Sequence, residues 1–216
     1  MADATITKRA MAEALKALMR ESSFDKITIT QICTRCNMSR KSFYYHFKDK
    51  YDLINWIFDT EIMDLIQKEM LYTKNNANLH PDITMHNYYS LLPELEDYHA
   101  GLQVFCDYFY ENCSFYRTAL QIQGQNSFHD HFREFLHPVF KYRLETLFQR
   151  HQFAPVKKEY LEFYVETLTD TFINAIERWI QMKNCMPSDE FVAMLLTLIG
   201  NASFAIADEL SSYYKV

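Results

Sequence analysis

Apolar residues recur at three- and four-residue spacing along most of the chain, the period of an amphipathic helix rather than the alternation of a strand. Between Thr7 and Arg20 they stand at Ala10, Met11, Ala14, Leu15 and Leu18. Ser22 and Ser23 end that run, and Phe24 and Ile27 supply apolar anchors before the next start signal. Thr28-Ile29-Thr30-Gln31 reads as a capping box, in which Thr28 bonds the amide three residues on while Gln31 reaches back. The helix behind it is expected to run to about Cys36, burying Ile29, Ile32, Cys33 and Cys36. Asn37 and Met38 then break the pattern, and asparagine is one of the few residues besides glycine that tolerates left-handed backbone at a helix end. Ser39 is a good N-cap for a following helix, whose spacing turns Phe43 and Phe47 inward one turn apart. Arg40, Lys41, Ser42 and Tyr45 must then face out, with Tyr44, His46, Lys48 and Lys50 around them.

A long periodic stretch from Tyr51 to about Tyr72 carries Leu53, Ile54, Ile57, Phe58, Ile62, Leu65 and Ile66 inward and is expected to link two parts of the chain. Thr73 to Met85 is polar and holds Pro81, so it reads as a loop, and Pro93 ends a short element. Further helices are expected at about His99 to Cys113, Phe115 to Gln123, Phe128 to His151, Lys157 to Met182 and Asp189 to Ser211. Pro138 lies inside one of these patterns and is expected to kink it by removing a donor and crowding the preceding turn.

Composition narrows the class. With 3 Gly and 5 Pro in 216 residues there are too few turn formers for a many-stranded sheet protein, while 17 Phe and 15 Tyr supply ample core material. The chain is expected to be all-α. The same shortage of glycine removes phosphate-cradling loops and nucleophile elbows, and no nucleophile, base and orienting group form a recognisable set, so an enzyme is not expected. The 5 cysteines are odd in number and fall inside helical patterns, which fits a reducing compartment better than a disulfide framework. Cys33 and Cys36 form a C-x-x-C pair without a second pair to complete a zinc site, and His129, His131 and His137 include neighbours that point to opposite sides of a helix. No metal and no cofactor are therefore expected. The start of the chain lacks the basic segment, apolar run and cleavage site of an export signal, and Phe191 to Ala207 is interrupted by Thr197, Asn201 and Ser203. A cytoplasmic protein with no membrane partner is the expectation.

Net charge is −6, yet the charge is unevenly placed. Residues 1–50 hold ten Lys or Arg against five Asp or Glu, leaving twelve against twenty-three in the other 166. A basic head that meets phosphate and an acidic body that does not would produce this asymmetry.

A turn between two capped helices, the second bearing an outward row of Arg, Lys, Ser and Tyr, is the physical requirement for a major-groove reader. The segment Thr7 to Leu53, and above all Ser39-Arg40-Lys41-Ser42-Phe43-Tyr44-Tyr45-His46-Phe47-Lys48-Asp49-Lys50-Tyr51-Asp52-Leu53, resembles the TetR/AcrR family of bacterial one-component regulators. The family's usual Ala-Gly in the turn is here Cys36-Asn37. The resemblance implies a three-helix DNA-binding domain with a helix-turn-helix at 1–50 and a helical ligand-binding and dimerisation domain at 51–216. It also implies roles. Arg40, Lys41, Ser42 and Tyr45 would read bases from a helix that Ser39 starts. Thr28, Thr30, Tyr44, His46 and Lys50 would hold phosphates, giving affinity and register without reading sequence, with packing inside the small domain as the other reading for Tyr44 and His46. Phe43 to Lys50 followed by Leu53 and Trp56-Ile57 is similar to a Firmicutes-type branch that includes regulators of dihydroxyacetone-kinase operons, some of which activate transcription with a protein co-regulator.

The expected partners are double-stranded DNA with a palindromic operator, a second copy of the chain joined through the last two helices, and an unknown small-molecule effector or protein co-regulator. Gly200, Ala202, Ala205 and Ala207 would let the last helix approach a neighbour closely, while Phe191, Leu195, Leu198, Ile199 and Ile206 give it a wide apolar surface. Trp56, Phe105, Phe109, Tyr116, Phe132, Phe135, Tyr164 and Phe172 lie on inward faces of the middle helices and are candidates to line an effector pocket, with ordinary core packing as the other reading. A ligand-responsive repressor is the leading expectation, an activator working through a protein co-regulator the alternative.

Overall fold

The structure, a computed structural model, describes residues 2–74, 98–122, 126–151 and 157–213. Among them the regular elements are helical, with no strand: α1 (Ala2–Glu21), a 3-10 turn (Phe24–Lys26), α2 (Ile29–Arg35), α3 (Arg40–His46), α4 (Lys50–Lys74), α5 (Tyr98–Glu111), α6 (Cys113–Ala119), α7 (Phe128–Arg150), α8 (Lys158–Gln181), α9 (Ser188–Leu195), a π-helical turn (Leu196–Gly200) and α10 (Asn201–Tyr213). Thr73 and Lys74, predicted to begin a loop running to Met85, belong instead to α4; the rest of that loop and the element ended by Pro93 lie outside the described residues. Residues group into two compact units, one of Met1–Asp64 with Asn112–His131 and one of Leu65–Glu111 with Phe132–Val216.

The first unit buries Met11, Ala14 and Leu15 of α1 with Ile32 of α2, Phe43 of α3, and Leu53, Ile54, Ile57 and Phe58 of α4. The α1 and α4 sets repeat at three to four residues, so each of those helices gives the core one face. Phe58 meets Phe128 edge-on at 5.3 Å, and Tyr116 packs 5.4 Å from Phe128. Polar ties surround this core: the Arg35 guanidinium donates to both carboxylate oxygens of Glu21 at 2.7 Å, Lys16 pairs with Glu61, and Asp59 Oδ1 lies 2.6 Å from His131 Nε2.

In the second unit α8 buries Val165, Leu168, Phe172, Ile173, Ile176, Trp179 and Ile180, a stripe that begins at Val165 and runs to the end of the helix. The buried Thr169 hydroxyl donates to the Val165 carbonyl at 2.7 Å, which satisfies it without interrupting the stripe. Trp179 stacks on Phe191 at 4.1 Å, and its indole N–H donates to the Met186 carbonyl at 2.9 Å, closing the connection from α8 to α9. The Ser188 hydroxyl donates to Asp107, holding α9 against α5. Helix α7 continues through Pro138. The last helix is not the single element its periodicity predicts. The backbone widens to a π turn over Leu196–Gly200, within which Thr197 Oγ1 donates back to the Ala193 carbonyl at 2.9 Å.

Candidate nucleic-acid interface

The segment from Thr28 to Phe47 builds the outward-facing helix from local chemistry alone. Thr28 Oγ1 accepts from the Gln31 amide at 3.2 Å while Gln31 Oε1 accepts from the Thr28 amide at 2.8 Å, the capping box that the spacing predicts. At the other end of α2 the Met38 amide donates to the Cys33 carbonyl at 2.8 Å and the Asn37 amide to the Thr34 carbonyl at 3.2 Å. This pair of bonds is a Schellman motif, and it requires Asn37 to take a φ of 55°. The chain thereby reverses within three residues. Ser39 Oγ then accepts from the Ser42 amide at 3.1 Å and starts α3.

Phe43 is fully buried and Phe47 nearly so, with their rings 5.7 Å apart, which anchors α3 by one side. The opposite side consequently faces solvent. Arg40 and Lys41 are exposed, Ser42 is half-buried, and Tyr44 and Tyr45 are 51% and 83% exposed, a cost in unburied aromatic surface that packing within the chain does not recover. The Arg40 guanidinium sits 5.9 Å from the Tyr44 ring, and Tyr45 meets His46 edge-on at 4.9 Å. Thr28 and Thr30 are exposed at the start of α2, where backbone amides and the positive end of the helix dipole favour an anion. The Thr28 hydroxyl is itself engaged with Gln31.

Lys50 stands apart from the rest of the set predicted to hold phosphates. Its ammonium donates to the carbonyls of Phe24 at 2.7 Å and Ile27 at 3.0 Å, and lies 4.2 Å over the Phe24 ring. Burial pushes its pKa below the usual lysine value, with Asp25 opposing that shift. The side chain that remains exposed near the end of α3 is Lys48, whose backbone amide is taken by the Asp52 carboxylate at 2.9 Å. Asp49, which the sequence pattern did not single out, accepts from the amides of Tyr51 and Asp52 at 2.8 Å and starts α4. An Asp three residues before Asp52 was a readable capping signal.

Cys33 and Cys36 lie at the end of α2 directly before the turn. Burial raises both thiols above their ordinary value, so each is held as a neutral thiol. Among the described residues no group of three or more His, Cys, Asp or Glu is positioned to hold a metal ion. His137 instead lies 3.1 Å from Glu162, whose carboxyl is held below its ordinary value chiefly by a hydrogen bond from Lys141.

The eight aromatic positions that the sequence offers for an effector fall into two groups. Trp56 and Tyr116 belong to the first unit, where the Trp56 ring meets Phe47 at 5.7 Å and Lys8 lies over it. Phe105, Phe109, Phe132 and Phe172 belong to the second unit and pack on one another, with Phe105 at 4.9 Å from Phe109, 6.0 Å from Phe132 and 6.1 Å from Phe172. Phe135 is buried and Tyr164 half-buried in the same unit.

Residues 12–57 match the family described as bacterial regulatory proteins, tetR family, and residues 96–201 match a transcriptional regulator C-terminal region. The HTH-type dhaKLM operon transcriptional activator DhaS of Lactococcus lactis is 29% identical over 72 residues, which is 33% of this chain and only 38% of that protein's length. Among solved structures, a dihydroxyacetone kinase operon activator DhaS has a TM-score of 0.56 at 18% identity, covering 95% of this chain and 98% of that one. A TetR transcriptional regulator from Streptococcus agalactiae has a TM-score of 0.57 at 20% identity over 91% of this chain and 95% of its own. RolR in complex with resorcinol has a TM-score of 0.54 at 17% identity, covering 99% and 97%. At these identities the structural likeness is one of fold.

Proposed function

This chain belongs to the TetR family of bacterial regulatory proteins, DNA-binding transcription factors rather than enzymes, and on that premise we propose that it is a homodimeric, ligand-responsive repressor working in the cytoplasm. The observation that carries the reading is the row Arg40, Lys41 and Tyr45 on a short helix capped by Ser39 and pinned by Phe43. Residues 1–50 read the operator. Arg40 and Lys41 pair with base edges, Ser42 and Tyr45 meet bases or methyl groups, and Thr30, Tyr44, His46 and Lys48 hold the backbone.

Residues 51–216 join two copies and sense the effector. Ser188–Ile206 has a mean hydropathy of 1.4, yet only 22% of it is buried within the chain. Met194, Leu198 and Phe204 leave large apolar surface uncovered, and a second copy related by a two-fold axis would cover it. The stretch also carries Thr197, Asn201 and Ser203 and a π turn, which suit a protein neighbour better than a bilayer. One three-helix head makes few base contacts, so two heads on a palindromic site are the mechanical expectation. An effector that prefers a dimer with mismatched heads lowers operator affinity by the ratio of its two binding constants.

Binding-site selection tests the reading. The wild-type chain should enrich a two-fold symmetric site, Lys41→Ala should relax base choice at one position per half-site by about 1–3 kcal/mol, and Lys48→Ala should weaken all sequences alike and lower the salt slope by about one. Selected sites that Lys41→Ala leaves unchanged would remove α3 as the reader. A second reading, an activator acting through a protein co-regulator, is favoured by the match to a DhaS operon activator. Transcription from the selected operator that rises on adding this protein decides for that reading.

A further inference from the structure

The outward groups of α3 are not equally supported. The Arg40 guanidinium sits 5.9 Å from the centre of the Tyr44 ring, one turn further along the same helix. Among the described residues it is Arg40, and not its neighbour Lys41, that lies over this ring. Helical side chains lean toward the N-terminus, so a residue one turn on covers the one before it, and Tyr44 leans back onto Arg40 for that reason.

Tyr44 is itself seated. Its ring meets the Phe43 ring edge-on, at 5.7 Å and an interplanar angle of 85°, and Phe43 is fully buried. A line of contacts therefore runs from the core of the first unit through Phe43 and Tyr44 to Arg40. It ends on a side chain with several rotatable bonds, which without support is spread over many rotamers. Reading a base with arginine requires two N–H donors presented together in one plane. Ordering a loose guanidinium on contact costs entropy, and an orientation set beforehand avoids that cost.

We propose that Tyr44 is a positioning residue for base recognition: its ring holds the Arg40 guanidinium in the orientation that meets a base edge. This role rests on the reading above, in which α3 reads the operator, and names the residue that prepares one of its readers. It is distinct from the backbone contact given to Tyr44, because the ring face serves Arg40 while the hydroxyl stands at the far end of the ring. Substitution separates the two. Tyr44→Phe removes the hydroxyl and keeps the face, whereas Tyr44→Leu removes both and leaves a good helix former.

Affinities of the full-length protein for its selected operator, and for that operator with each base pair changed in turn, give a discrimination ratio at every position. Both affinities come from one preparation, so a misfolded fraction cancels from the ratio. Arg40→Ala should lower the ratio at one position per half-site by roughly five- to a hundredfold. Tyr44→Leu should lower it at that same position by about two- to fivefold, the strength of an exposed contact between a cation and a ring, and leave the position read by Lys41 as in the wild type. Tyr44→Phe should keep the wild-type ratio at both positions, any loss of affinity falling equally on all sequences. The double variant should discriminate no worse than Arg40→Ala alone. Without DNA, nuclear relaxation of the Arg40 Nε–H group should report greater mobility in Tyr44→Leu than in the wild type or in Tyr44→Phe.

An Arg40 side chain as mobile in the wild type as in Tyr44→Leu overturns the proposal. So does Tyr44→Leu that keeps the ratio Arg40→Ala loses, an outcome that leaves base reading by α3 standing. Tyr44→Phe that loses as much discrimination as Tyr44→Leu also overturns it, since the hydroxyl and not the ring is then at work. If Arg40→Ala changes no ratio, Arg40 is not a reader, and the positioning role falls together with the reading it rests on.

Discussion

The Lys50 ammonium lies 4.2 Å over the Phe24 ring and donates to the Phe24 carbonyl at 2.7 Å, so the first residue of α4 closes the turn that precedes α2. The ammonium adds a second donor to the Phe24 carbonyl, which already accepts from the Ile27 amide at 3.0 Å, and reaches the Ile27 carbonyl just beyond the turn at 3.0 Å. Lys50→Met keeps apolar contact with Phe24 but abandons those oxygens. The expected loss is about 1–2 kcal/mol, in the range of hydrogen bonds to a charged donor, measured as a lower urea midpoint at unchanged slope. A full-strength midpoint combined with weaker DNA binding would instead assign Lys50 to a phosphate.

Asn37 holds a φ of 55° between the two helices of the reading head. Glycine adopts that conformation without strain, whereas a β-branched residue there clashes with its own backbone. Asn37→Gly should therefore leave stability within a few tenths of a kcal/mol, while Asn37→Val should cost about 1–2 kcal/mol and weaken operator binding in parallel. Chemical denaturation and a DNA-binding isotherm on both variants check this, and equal effects of the two substitutions would remove the left-handed turn as the reason for asparagine.

Acid should loosen the contact between α1 and α2. The hydrogen bond from Arg35 holds the Glu21 carboxyl below its ordinary value of 4.5, so the folded state favours the ionised form more than the unfolded state does. That stabilisation is present above pH 4.5 and disappears as pH falls through the lower folded value. Glu21→Gln should melt below the wild type at neutral pH, and the gap between them should close in acid. Thermal melts across the acid range test it, together with Arg35→Gln, which should give the same profile and add nothing in the double variant.

Leu198 leaves 54% of its surface uncovered on a stretch that is otherwise apolar. A carboxylate at its position would be stranded in a two-fold interface. Leu198→Glu should give a monomer by sedimentation at concentrations where the wild type is a dimer, with operator affinity reduced at least a hundredfold because the two heads are no longer linked. Helix content should stay unchanged, since the residue contributes little to the core of its own chain.

What the amino-acid sequence makes legible follows a physical divide. Thr28 with Gln31, Ser39 with Ser42, and Asn37 with Cys33 and Thr34 act within a few residues, so their partners are implied by position in the chain. The outward row of α3 was legible for the same reason, since Phe43 and Phe47 fix the buried side and helical geometry fixes the rest. Lys50 was not. Its position in the motif resembles a phosphate contact, and only the return of the chain past Phe24 and Ile27 gives its ammonium another use. His131, one of three histidines clustered in sequence, finds Asp59 on α4 rather than either of its sequence neighbours. The aromatic positions were legible as inward-facing but not as to what they meet.

By itself the sequence determined the helices, their caps, the tight turn and the basic face of α3, because helical periodicity and capping are interactions over three or four residues. Only the tertiary structure decided which cation is spent inside the fold and which histidine meets which carboxylate. Those outcomes depend on side chains brought together from distant parts of the chain, and a distance through space is not a quantity that spacing along the backbone contains.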